Sequence, residues 1–311
     1  MKTMRKHLLI VLALFLATFI VGSFLDEAIS ASIFSRDNTF GLIVSVLGVI
    51  PGHMLIAFLG GGFLSLAFRK EEKVGLKVLW WILAIACLGE GIFYAGREFF
   101  GPNGFPVVAR WVGYFIAVPF IALGGFFGFV VTKRSKMEKI WLLYVILAVA
   151  AFMALMPGVT LLKSIFHRPR FRAIDQYPDI VFHSWWVRCG DYKDLMAQYG
   201  ITSEEFKSFP SGHAGTAAIA LMFGLVLPIV DKERFGKYKL FWFYGALVWV
   251  LLVAFCRILV GAHFLSDVSM GPILSIVFIY IGNEVILACK GIKEKEELPP
   301  PEEAPAEEPA E

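Results

Sequence analysis

The sequence predicts an all-α fold: a polytopic integral membrane helical bundle of about eight spans. Two observations carry this prediction. Of 311 residues, 58% are hydrophobic, only 18% are charged and 30 are phenylalanine, and the mean hydropathy is +0.69. Soluble domains carry about 25% charged residues. In addition, eight stretches approach the roughly 20 apolar residues that a helix needs to cross a bilayer core. A disordered chain, a basic nucleic-acid binder and a disulfide-stapled secreted domain each require a different composition.

Taken in order, the first apolar stretch is 7–25, preceded by Lys2, Arg5 and Lys6. Those flanks also suit a signal peptide, with small residues at Ala28 and Ala31, but the length of the run favours a retained span. The second, 40–68, is too long for one untilted crossing and contains Pro51-Gly52, so it is expected to be tilted, kinked or partly re-entrant. The third (76–96) and fourth (107–132) are ordinary in length. The fifth (140–162) ends on Lys163, the sixth (212–231) follows Ser211, the seventh (239–256) ends at Arg257, and the eighth (264–289) follows His263.

Charge orients these spans. With the N-terminus inside, the cytoplasmic segments hold 18 of the 29 Lys and Arg residues, among them Arg69, Lys70, Lys133, Arg134, Lys232 and Lys290. Of the other 11, seven lie at or in one long connection, Lys163–Phe209. This is the positive-inside pattern, and it puts both termini in the cytoplasm. Residues 291–311 hold eight Glu against two Lys, and their Pro, Glu and Ala composition reads as a disordered acidic tail.

Three polar clusters sit at span ends, all on the extracytoplasmic side. They are Lys163-Ser-Ile-Phe-His-Arg-Pro-Arg170, Ser208-Phe-Pro-Ser-Gly-His213, and the stretch from Cys256 and Arg257 through His263 to Asp267. Lys163 and Arg170, two helical turns apart, project from one face if the helix continues. With Arg257 they form a cationic cradle suited to a dianionic phosphate. Ser211 is placed to cap a helix whose first residue, Gly212, leaves the backbone N–H groups open to an anion. His263 and Asp267, spaced i,i+4, face each other on a helix, an arrangement that fixes an imidazole tautomer. An oriented histidine, a second histidine (His213) and a cationic cradle suit phosphoryl transfer, which asks mainly for positioning and electrostatics.

Together the three clusters resemble the signature of the type 2 phosphatidic acid phosphatase superfamily: Lys, six residues, Arg-Pro; Pro-Ser-Gly-His; Ser-Arg, five residues, His, three residues, Asp. Order and internal spacing match over roughly 160–270, with Phe171 in place of a proline and Cys256 in place of a serine. The resemblance implies a membrane lipid phosphatase in which His263 attacks phosphorus, Asp267 supports it, and His213 protonates the leaving oxygen. It also implies that Lys163, Arg170, Ser211, Gly212 and Arg257 hold the phosphoryl oxygens, with neither cofactor nor metal.

The family core has six spans, which maps onto 76–290 here, with a cap loop at 171–209. That leaves two extra N-terminal spans (1–75) and the tail (291–311). The expected substrate is a phosphomonoester or pyrophosphate lipid of the phosphatidylglycerophosphate, phosphatidate or polyprenyl pyrophosphate class. Nucleic acid is not expected as a partner, and the sequence leaves the oligomeric state open.

The alternatives are a lipid-linked phosphotransferase using the same site and a non-enzymatic lipid transporter. A metal site built from His213, His263 and Asp267 is disfavoured, because the cations around it repel a divalent ion. The absence of eukaryotic sorting signals suggests a bacterial inner (plasma) membrane. His53 and Glu90, ionisable groups inside apolar spans, are expected to pair or to line a pocket.

Overall fold

The computed structural model describes residues 2–70, 72–99, 110–134, 157–230 and 232–296. Among these residues every regular element is helical, and the protein is a polytopic helical bundle. Its helices are α1 (Lys2–Ile33), α2 (Thr39–Leu47), α3 (Ile50–Ala67), α4 (Val74–Arg97), α5 (Arg110–Arg134), α6 (Pro157–Phe166), α7 (Phe171–Gln176), α8 (Tyr192–Tyr199), α9 (Gly212–Ala218), α10 (Phe223–Val230), α11 (Lys232–Phe235), α12 (Lys239–Leu259) and α13 (Leu265–Glu296).

Six segments among the described residues are long and apolar enough to cross a membrane: Met4–Ile33, Thr39–Ala67, Val74–Arg97, Trp111–Arg134, Glu233–Leu259 and Leu265–Val285. Of the two remaining expected spans, 140–162 lies outside the described residues except for its C-terminal end, in α6. The sixth, Gly212–Pro228, is a shorter apolar helix that tightens into a 3-10 turn at Ile219–Met222 between α9 and α10. The last helix continues past the expected start of the tail to Glu296, and 297–311 lie outside the described residues.

The expected irregularity of the second span falls at Gly48-Val49, where α2 ends and α3 begins. Pro51 then occupies the first turn of α3, where its missing N–H costs nothing. α3 is the buried centre of its part of the bundle, packed between α4 and α5. At Gly61 a Cβ would collide with the carbonyl of Gly125 on α5, so this pair is held by close backbone approach, as small residues allow between membrane helices.

α1 runs antiparallel along α13. Arg5 Nε donates to the Tyr280 hydroxyl at 3.0 Å, Thr18 Oγ1 pairs with Ser269 Oγ at 2.9 Å, and the Ser266 N–H donates to Asp26 at 2.8 Å. α9 packs against both α12 and α13. Gly271 makes the second contact possible, because a Cβ there would strike the Ser211 carbonyl oxygen. The connection from 171 to 209 contains α7, α8 and a 3-10 turn at Ser203–Phe206. It closes around a small core of its own formed by Ala173, Ile180, Cys189, Leu195 and Phe206.

Candidate active site

The three sequence clusters converge at one end of the bundle, where α4, α6 and α12 finish and α9 and α13 start. Two of the three expected local geometries differ from the simple helical picture. α6 stops at Phe166 and His167 takes a left-handed φ of 45°. The residue before Pro169 is disfavoured in a helix, so Lys163 and Arg170 do not share a helical face. Arg170 reaches the site from an extended segment, fixed by its N–H donating to the Glu205 carbonyl at 2.8 Å. Likewise α13 begins at Leu265, so His263 stands outside the helix that carries Asp267.

This second difference changes what orients His263. Its Nδ1 lies 2.6 Å from the Ser208 carbonyl oxygen and 3.8 Å from Asp267 Oδ2. A carbonyl only accepts, so Nδ1 carries the proton and Nε2 keeps its lone pair. The Asp267 carboxylate is held by its own neighbours. Oδ2 accepts from Ser208 Oγ at 2.5 Å and from the Phe264 N–H at 2.8 Å, while Oδ1 accepts from Arg168 Nη1 at 2.6 Å. Burial pushes the His263 pKa well below the usual histidine range; Arg257, Lys163 and Arg170 add to the fall, against Asp267. The imidazole is therefore neutral at neutral pH.

Around it stand the cradle residues. Lys163 Nζ donates to the Lys207 carbonyl at 2.8 Å. Arg170 and Arg257 are fully buried side chains, and Arg170 Nη2 is 3.6 Å from Glu204 Oε2. Burial and Arg172 lower the Arg170 pKa to about 10, against Glu205, Glu204 and Glu98, so it stays charged. Ser211 caps α9 with its hydroxyl on the Ala214 N–H, and its own N–H donates to the Asp267 carbonyl at 3.0 Å. Gly212 opens the helix, and a Cβ there would meet only Val159 at 3.8 Å.

Two carboxylates at this site escaped the motif reading. Glu98, just past α4, places Oε2 2.8 Å from His213 Nε2. Burial opposes its charge, but His213, Arg257 and His53 outweigh burial and hold its pKa down at about 2. The other is Asp26 of α1, bound to Arg168 at 2.9 Å. Neither lies in a spaced motif; a carboxyl near the end of an apolar span was the only signal. His53 on α3 and Glu90 on α4 do pair, with Nδ1 to Oε1 at 3.2 Å.

Cys256 is buried, so its thiol is not presented at the surface. Trp185 packs on Phe209 at 5.3 Å and donates to Ser23 at 2.9 Å. It is thus part of the packing between α1 and the loop.

Comparison with known proteins gives one match. No curated protein and no solved structure matched the chain. Residues 138–289 match the family model described as PAP2 superfamily, a segment that contains all three clusters. This match together with the apolar helices supports a membrane phosphatase-type function, a phosphoester hydrolase at the coarse level. Over residues 138–289 the chain is thus similar to the PAP2 superfamily, the family its three spaced clusters resemble.

Proposed function

We propose that the protein hydrolyses the phosphate or pyrophosphate head group of a membrane lipid at the extracytoplasmic face, through a phosphohistidine on His263. The observation that carries this reading is the placement of His263, its Nδ1 on the Ser208 carbonyl at 2.6 Å, among the buried side chains of Arg170 and Arg257. The cations gather the phosphoryl oxygens and balance the charge that spreads over them in the transition state.

The His263 Nε2 lone pair forms the N–P bond as the P–O bond to the leaving group breaks. His213 gives its proton to that oxygen. His213, now neutral, takes a proton from water, whose oxygen attacks phosphorus. The N–P bond then breaks, returning its electron pair to Nε2 and releasing inorganic phosphate. Glu98, 2.8 Å from His213 Nε2, is placed to orient that imidazole.

A lipid substrate is supported by the position of the cluster, at the ends of apolar helices, where an acyl or isoprenoid chain stays in the bilayer while its head group enters. The outer face is supported by the charge asymmetry. The site lies at the end opposite Arg69, which binds the Thr132 carbonyl beside Lys133 and Arg134 at the other end of α3 and α5.

The test is phosphate release by purified protein across phosphatidylglycerophosphate, phosphatidate and polyprenyl pyrophosphate, with His263→Ala as control. Release from at least one lipid, lost in His263→Ala, is expected. Equal release by both proteins refutes the reading.

A further inference from the structure

α1 lies outside the family-matched segment, yet it carries a carboxylate into the support of the site. Asp26 is 2% exposed. Its Oδ2 accepts from Arg168 Nη2 at 2.9 Å and from the Ser266 hydroxyl, and its Oδ1 accepts from the Ser266 N–H at 2.8 Å. The other arm of the same guanidinium, Nη1, donates to Asp267 at 2.6 Å and to Ser266 Oγ at 2.9 Å. Arg168 is itself buried. Its Nε binds the His183 carbonyl at 2.8 Å, and its plane lies over the Phe264 ring at 4.2 Å. Every donor arm is therefore committed, and the guanidinium cannot turn without breaking several bonds.

The approach of α1 is built for this contact. Gly22, one turn before Asp26, is the only residue type that fits, since a Cβ would stand 2.5 Å from the Ser266 nitrogen. Beyond the helix, the Ser35 N–H donates to the Leu259 carbonyl at 2.8 Å, and Arg36 binds Asp175 at 2.6 Å and Gln176 at 2.8 Å on α7.

Charge gives the arrangement its consequence. Alone, Arg168 would neutralise Asp267, the carboxylate nearest His263, and leave a neutral pair facing the imidazole. With Asp26 on its second arm, the buried group of three keeps one net negative charge. We propose that Asp26 is a positioning residue of the active site: through Arg168 it fixes Asp267 and preserves the negative charge that His263 requires as it becomes phosphorylated. This rests on the phosphohistidine reading above, and it assigns to the first N-terminal helix a role in the chemistry.

The test uses the full chain in detergent with a lipid phosphate that the wild type hydrolyses. Asp26→Asn keeps the size of the side chain and removes its charge. We expect kcat to fall roughly 10- to 100-fold, as when the partner of an orienting group is removed, with KM within about twofold. We also expect the acid limb of the kcat/KM profile to move to lower pH. His263 faces Asp267 from α13, Arg257 from α12, Lys163 from α6 and Arg170 from the segment after it. Removing a negative charge from this surrounding makes the imidazole less basic, whereas loosened packing alone would not move the limb in that direction. Asp26→Glu, which keeps the charge, should recover part of kcat and return the limb toward wild type.

Wild-type kcat and an unmoved limb in Asp26→Asn overturn the proposal. So does a loss explained entirely by less folded protein with unchanged kcat per folded molecule. If Asp26→Asn does not fold, Asp26→Glu decides: a displaced carboxylate should lower kcat, and wild-type kcat overturns the proposal. A wild-type protein without lipid phosphate hydrolysis refutes the function itself. Active wild type, inactive His263→Ala and fully active Asp26→Asn refute only the role of Asp26.

Discussion

Replacing Asp267 by Asn separates orientation from charge at His263. The His263 Nδ1 proton is held by the Ser208 main chain at 2.6 Å, so the tautomer survives the substitution. What is lost is a negative charge 3.8 Å from Nδ1, in a pair of side chains no more than 1% exposed. At an effective dielectric of about 20, one charge pair at this distance is worth about 4 kcal/mol, or roughly a thousandfold in rate if it is felt fully by the phosphorylated imidazole. Partial cancellation by Arg168 makes this an upper figure. The expected result is a fall in kcat of about 100- to 1,000-fold at saturating lipid, with KM little changed and activity above that of His263→Ala. The assay is phosphate release in detergent micelles with kcat and KM resolved, alongside thermal unfolding to count folded protein. A kcat within about tenfold of wild type would refute the charge argument, and a loss equal to His263→Ala would refute the claim that Ser208 sets the tautomer.

Three further outcomes follow from the same geometry. The Glu98 carboxyl, lowered from 4.5 to about 2, contributes about 3 kcal/mol by linkage. Because the folded pKa is the lower one, that contribution is full above about pH 4.5 and disappears as pH falls toward 2; Glu98→Gln should flatten unfolding midpoints across this window, and an unchanged slope would contradict it. Gly271→Val should abolish activity and lower the unfolding temperature, since the Ser211 carbonyl occupies the space of a Cβ; a stable, active variant would show that α9 and α13 are not held this closely. Vanadate, a phosphate mimic, should inhibit competitively and protect the cradle, and Arg257→Ala should weaken that inhibition at least tenfold; inhibition unaffected by the variant would place the anion elsewhere.

Sequence spacing carried much of this account because the motif residues sit close to one another along the chain at span ends, where apolar runs stop. Charge asymmetry then put those ends on one side. Spacing failed where the chain leaves the helix. The i,i+4 interval of His263 and Asp267 straddles the start of α13, and the seven-residue interval of Lys163 and Arg170 crosses the break before Pro169, so neither pair meets as helical neighbours. The interior contacts were also illegible, because Asp26 reaches Arg168 across 142 positions and Glu98 reaches His213 from another span. A carboxyl near the end of an apolar run marks a cost, and only the packed structure shows which cation offsets it. The second span shows the limit at a breaker residue: proline is tolerated in a first helical turn, and the irregularity fell two residues before Pro51.

The most direct measurement is the site of the covalent intermediate. A lipid phosphate labelled with 32P in its terminal phosphoryl group is mixed with the protein and quenched within a turnover in alkali, where phosphohistidine survives, and the labelled peptide is sequenced. Label is expected on the peptide containing His263, with its loss in His263→Ala and a lower burst in Asp267→Asn. Turnover with no label on His263, or label on His213 instead, would contradict it.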